Sequence, residues 1–161
     1  VANISITDVF STNYDVYKMT VKAVGLAGGT ASRIDGRLIN SSGSVISSSN
    51  YDRAELSLKA HTSVQELRSV DADTMFDYLP GTDQTPETSG GVVYFFNPFS
   101  SSSYTFRLHQ AQSFYTTNYP RGGKGIGVLK QTVSTTGINI FQTGSAFSYL
   151  NIRTYGLRVD S

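Results

Sequence analysis

"GGVVYFFNPFSSSSYTFRLHQ", Gly90–Gln110, holds two apolar, aromatic-rich runs on either side of Asn-Pro-Phe and four serines. "GVVYFF" is apolar at both phases, the pattern of a strand covered on both faces. Pro98 cannot donate to a ladder and biases Asn97 toward extended geometry. The first strand therefore ends at "NPF", and the serines make the crossing. "YTFRLHQ" then alternates, which predicts Tyr104, Phe106 and Leu108 inside and Arg107 and His109 outside. On this reading the aromatics fill the core of a sandwich in a chain without Trp.

The same period of two recurs in both directions. In "YDVYKMTVKAV" (14–24), Tyr17, Met19, Val21 and Ala23 share one face and Lys18, Thr20 and Lys22 the other. "SRIDGRLIN" (32–40) puts Ile34 and Leu38 in phase against Arg33, Asp35 and Arg37. "YDRAELSLKA" (51–60) sets Leu56, Leu58 and Ala60 against Glu55, Ser57 and Lys59. "IGVLKQTV", "INIFQT" and "YLNIRTYGLRV" are further strands. The last is apolar in both phases and switches near Thr154, which predicts a bulge there or a strand buried on both sides. Val64, Leu67 and Val70 stand at helical spacing, so one short helix is expected over roughly 62–70. "TMFDYL" reads as a short strand and "PGTDQTPETSGG" as a long loop. The expectation is an all-β, antiparallel, jelly-roll-like β-sandwich of eight to nine strands with at most one short helix. At 161 residues it forms a single domain over 1–161. Without an initiator Met, Val1 reads as a processed end or the edge of a longer chain.

Composition narrows the function classes. The chain carries a formal charge of +1 and scatters its basic residues singly, with no run to track a phosphate backbone. No nucleic-acid partner is expected. No apolar stretch approaches the ~20 residues of a membrane-spanning helix, and the N-terminus has no signal-peptide pattern. Without Cys there is neither a disulfide nor thiol chemistry. His61 and His109 lie in no ligand spacing and read as surface residues. "DADTMFD" lacks the Gly and distal Glu of a calcium loop. "GGKGIG" (122–127) fails the Walker pattern and reads as a hairpin turn made by glycines. Neither a catalytic residue nor a metal or cofactor is expected, and the chain reads as a non-enzyme. A sugar or partner surface would use exposed aromatics beside polar loops, for which Tyr115, Tyr119 and Phe147 are the candidates. Arg121 and Lys124 could meet an anionic sugar or a partner carboxylate.

Four blocks, "ITDVFSTNYDVYKMTV" (6–21), "SSNYDRAEL" (48–56), "VVYFFNPFSSSSYT" (92–105) and "IRTYGLRVDS" (152–161), together resemble a family of bacteriophage virion proteins. These occur as C-terminal domains of tail fibres and related particle components. The resemblance implies a particle-surface β-sandwich, the C-terminal module of a tail-fibre-like chain that contacts the host. A capsid decoration or cement protein is the alternative within the virion; a carbohydrate-binding or carbohydrate-active protein is the alternative outside it. The implied partners are further copies in a homotrimer, other virion proteins, and a host surface glycan or protein. Doubly apolar strands leave a patch uncovered in a monomer, so Tyr155, Leu157 and Val159 are the expected interface.

Overall fold

The computed structural model describes residues 3–25, 33–80, 89–115, 119–143 and 146–158. Among them run eleven strands: β1 (Asn3–Ile6), β2 (Val16–Gly25), β3 (Arg33–Asn40), β4 (Tyr51–Lys59), β5 (Gln65–Ala72), β6 (Phe76–Pro80), β7 (Ser89–Phe96), β8 (Thr105–Tyr115), β9 (Tyr119–Leu129), β10 (Thr135–Thr143) and β11 (Phe147–Leu157). They form a small four-stranded sheet, β1-β10-β3-β6, and a large seven-stranded sheet, β11-β2-β7-β8-β9-β4-β5. Every pairing is antiparallel. This is the antiparallel sandwich expected, with more strands and with no helix among the described residues. No helix long and apolar enough to cross a membrane occurs among those residues.

One half of the interior is apolar. Tyr17, Met19, Val21 and Ala23 of β2 and Val93 and Phe95 of β7 point inward, against Ile34 and Leu38 of β3 and Ile138 and Ile140 of β10. Burying such side chains contributes roughly 1.5–3 kcal/mol each. The β7–β8 connection closes this half, with Asn97 in the left-handed region instead of the extended geometry expected before Pro98, because its backbone turns there to hydrogen-bond Asp15. Asn97 takes a φ of 53°, its N–H donates to Asp15 O at 2.7 Å, and the Ser100 hydroxyl accepts from Ser102 N and Ser103 N. Pro98 O accepts from Thr135 N and from the Thr135 hydroxyl. Tyr51 then ties the sheets together: its hydroxyl donates to Ile46 O at 2.9 Å and accepts from Leu38 N at 3.1 Å. Burial pushes that phenol well above its usual pKa range.

The other half of the interior is polar, and it overturns the expected phase of two strands. On β8 the inward residues are Thr105, Arg107, His109, Ala111 and Ser113, while Tyr104, Phe106 and Leu108 are exposed. On β4, Glu55 and Ser57 are buried and Leu58 is exposed. His109, expected at the surface, is buried, and neither of its ring nitrogens has a hydrogen-bond partner among the described residues. Arg107 Nη2 pairs with Glu55 Oε1 at 3.0 Å, and Arg107 Nε donates to Met75 O at 3.0 Å. An ion pair satisfied in this way lets a charged phase face inward. The β6 end of the small sheet packs over this region, against β7, β8 and β9.

Strand β9 replaces the expected glycine turn. "RGGKGIG" runs inside the strand, paired with β8 on one side and β4 on the other. Its glycines serve close approach. A Cβ at Gly125 would stand 2.7 Å from Glu55 Cγ and from His109 Cε1, and one at Gly127 would stand 2.7 Å from Arg107 Nε and Met75 O. The missing side chains are the space that the buried Arg, Glu and His occupy.

The expected short helix is instead β5, an edge strand paired with β4. Its register shifts opposite Tyr51–Arg53, where Asp71 takes a φ of 52°. Asp71 N donates to Asp52 Oδ1 at 2.9 Å, and Lys130 Nζ contacts Asp52 Oδ1 at 2.9 Å and Asp71 Oδ1 at 2.6 Å. Pairing with β4 and this bulge override the helical spacing of Val64, Leu67 and Val70. On β11, Tyr149–Leu157 keeps regular register with β2, and the shift falls at Phe147–Tyr149 instead of Thr154. Most of the expected loop "PGTDQTPETSGG", residues 81–88, lies outside the described residues.

Candidate functional site

Inverting β4 and β8 leaves an apolar face on the outside of the large sheet. Ladder register assembles it row by row. Val16, Phe96, Phe106 and Val128 stand side by side across β2, β7, β8 and β9. The next row reads Lys18, Tyr94, Leu108, Ile126, Ala54, Arg68 across to β5, and the one after it Thr20, Val92, Gln110, Lys124, Leu56, Glu66. The face thus grades along the strands, from a mostly apolar end, where Asp52 of β4 stands beside Val128, to a polar one. Phe106 is 51% exposed and Ile126 56%. Monomers rarely leave side chains of this size so open over a contiguous area, and such areas mark contacts.

The face is hollow. A cleft of roughly 610 Å³ spans five adjacent strands, β7 to β5. Tyr94, Leu108 and Ile126 form its apolar floor, and Gln110, Lys124, Glu66 and Arg68 its polar margin. Those four polar side chains are exposed and commit no donor or acceptor to a partner among the described residues. A second cleft of roughly 520 Å³ continues from the first and shares Ala54, Arg68, Leu108 and Ile126 with it. Both volumes fall within the roughly 300–1,000 Å³ of small-molecule sites.

The residues singled out from the sequence scatter. Lys124 alone lines the cleft. Arg121, expected at the surface, points inward from β9 and is buried. Phe147, expected as an exposed platform, is packed in the apolar core. Tyr119 is half-buried at the end of β9, its ring stacked on the exposed His61 at 3.4 Å between centroids. Tyr115 pairs with Tyr119 through its backbone, and its side chain lies outside the described residues. Tyr155 is exposed and Leu157 half-buried on β11, an edge of the large sheet, and Val159 lies outside the described residues. The uncovered apolar surface is instead centred on β8 and β9. No group of three or more His, Cys, Asp or Glu side chains that could hold a metal occurs among the described residues.

No family model and no curated protein matches the chain. Among solved structures the similar ones include congerin II with lactose and MES bound, at 10% identity, covering 94% of this chain and 99% of that one with a TM-score of 0.32. A congerin II double mutant follows at 10% identity, the same coverages and a TM-score of 0.35. The ancestral congerin Con-anc is 9% identical over 93% of this chain and 99% of its own, with a TM-score of 0.33. TM-scores this low establish neither a shared fold nor a shared role. The solved structures found are congerins and a GH43 protein, none of them a bacteriophage protein, so the tail-fibre and capsid-decoration roles implied by the resemblance are not carried forward. Each of its motifs is a strand or turn signature, which any antiparallel sandwich can carry.

The signal that finds the site is present in the sequence but reads ambiguously. Tyr94, Phe106, Leu108 and Ile126 are the apolar phases of their strands, and sequence assigns an apolar phase to the core. Only Arg107 and Glu55, charges of opposite sign in matching phases of β8 and β4, hint that the polar phase points in.

Proposed function

We propose that the chain is a non-catalytic carbohydrate-binding module, with its site in the cleft on the open face of the large sheet. The observation that carries this reading is the pairing of an apolar, aromatic-bearing floor with uncommitted hydrogen-bonding side chains at its margin. Tyr94, Leu108 and Ile126 lie beneath; Gln110, Lys124, Glu66 and Arg68 stand beside them. A pyranose ring has that duality, with C–H groups on its face and hydroxyls around its edge. The ring face packs on the apolar floor, and the hydroxyls exchange water for amide, ammonium, carboxylate and guanidinium partners. The rigid ladder of five strands holds these groups in place before the ligand arrives, which lowers the entropy cost of binding.

The carboxylates support binding over hydrolysis. A glycosidase needs two carboxyl groups across the scissile bond, about 5–10 Å apart. Glu66 is available at the cleft margin, while Asp52, beside the second cleft, is held by Lys130 and by Asp71 N. Glu55 contributes only its backbone side to the cleft, since its carboxylate faces inward to Arg107.

An array of neutral and acidic glycans tests the reading. The wild-type protein is expected to retain a defined set of glycans, and Tyr94→Ala and Lys124→Ala to lose it with melting temperatures unchanged. Failure to bind any glycan at millimolar concentration refutes the proposal.

A further inference from the structure

The second cleft differs from the first in kind. Phe96, Phe106, Val128, Ile126 and Val70 line it, and Val70 is 74% exposed. Its margin carries Arg68 and Asp52, and the Asp52 carboxylate is already engaged by Lys130 Nζ and Asp71 N. A sugar ring placed here would set most of its hydroxyls against apolar side chains, where lost water is not replaced, which costs free energy. An apolar group placed here would cover the most exposed aromatic and branched side chains of the face.

Both clefts lie on one surface and share Leu108 and Ile126 as a common floor. Along the strands the rows pass from Gln110 and Lys124, through Leu108 and Ile126, to Phe106 and Val128. Adjacent same-face positions on a strand lie about 7 Å apart, so the passage from the polar to the apolar row takes about 14 Å. One small amphipathic molecule covers that length. A protein partner fits less well: a hollow of roughly 520 Å³ matches a small-molecule site, whereas protein interfaces are larger and flatter.

We infer that the ligand is a glycoside with an apolar aglycone, a short alkyl, acyl or aryl group, whose sugar occupies the first cleft and whose aglycone occupies the second. This inference rests on the carbohydrate reading of the first cleft. It commits to a single dissolved molecule instead of a lipid held in a bilayer, because an aglycone anchored in a membrane cannot also lie within the hollow of the sheet.

Calorimetry with methyl, butyl, hexyl and octyl β-glucosides and β-galactosides, all below their micelle concentrations, tests it. For one of the two sugars, affinity is expected to rise about fourfold per added methylene, the scale set by burying a CH₂ group. Phe106→Ser and Val70→Ser should flatten that rise and leave the methyl glycoside within about twofold of wild type. Both positions are exposed, so melting temperature should not move, and Val128→Ser, which lines the second cleft alone, serves as a third variant if one fails to fold. Tyr94→Ala and Gln110→Ala should weaken every member of the series. Affinity independent of chain length overturns the aglycone inference while leaving the sugar reading intact. A rise with chain length that is the same for octanol as for the octyl glycosides overturns the sugar reading. Equal binding to vesicles bearing the same sugar on a dialkyl lipid overturns the commitment to a dissolved ligand.

Discussion

Replacing Arg107 with Met isolates the feature that turns β8 over. The Arg107 side chain is fully buried and that of Glu55 is 4% exposed, with 3.0 Å between Nη2 and Oε1. Met fills much of the aliphatic volume and removes the charge. The carboxylate of Glu55 then stays in the interior without this cation, and Met75 O loses the donor that reaches it at 3.0 Å. Breaking a buried pair from one side costs about 3–5 kcal/mol. That is a large share of the roughly 5–15 kcal/mol by which domains are stable. In a chain of this size each kcal/mol moves the melting temperature by about 2–4 °C, so a drop of about 6–20 °C is expected. Thermal melts followed by circular dichroism at pH 7, with urea denaturation for the free energy, measure it. The double variant Arg107→Met with Glu55→Leu removes both charges and should recover most of the loss. A loss below about 1 kcal/mol in the single variant, or a double variant no better than the single, refutes the assignment of β8's polar phase to the interior.

Three further outcomes follow from the packing. Tyr51→Phe strips the hydroxyl that joins Leu38 N to Ile46 O and should cost about 1–3 kcal/mol in urea denaturation, because both backbone groups are left buried and unpaired. Gly125→Ala should destabilise by about 1–3 kcal/mol, as its Cβ would meet Glu55 and His109 at 2.7 Å; melting at the wild-type temperature would show that the glycines of β9 are not there for space. The Asp52–Lys130–Asp71 cluster should give a pH signature. The Lys130 hydrogen bond holds the Asp52 carboxyl below its ordinary 3.8, and the Asp71 hydrogen bond holds Lys130 above its ordinary 10.5. The Asp52 contribution is therefore present above pH 3.8 and lost as pH falls through its lower folded value. The Lys130 contribution is present below pH 10.5 and lost as pH rises through its higher folded value. Urea midpoints of wild type and Lys130→Met should differ at pH 7 and converge as pH falls through the lowered Asp52 value; a gap that persists in acid would exclude the ion pair as its cause.

Local chemistry in the sequence was enough to specify the class of fold. Alternation in "YDVYKMTVKAV" marks β2 and its buried face correctly, because Tyr17, Met19, Val21 and Ala23 have no polar competitor in phase. The "NPF" and serine stretch marks the β7–β8 connection, because a missing N–H and short hydroxyl side chains act within a few residues. What alternation cannot say is which phase of a strand faces its partner layer. For β4 and β8 that depends on Glu55 and Arg107, far apart in sequence, finding each other at 3.0 Å. It depends equally on glycines in β9 that leave room for them, and those same glycines look like a turn when read alone. For β5, an edge position beside β4 and a bulge fixed by Lys130, 59 residues beyond Asp71, outweigh a helical spacing of three residues. The candidate site was hidden by the same inversion. Tyr94, Leu108 and Ile126 look like core in any one strand, and only the ladder that places them side by side on the uncovered face of the large sheet makes them a surface.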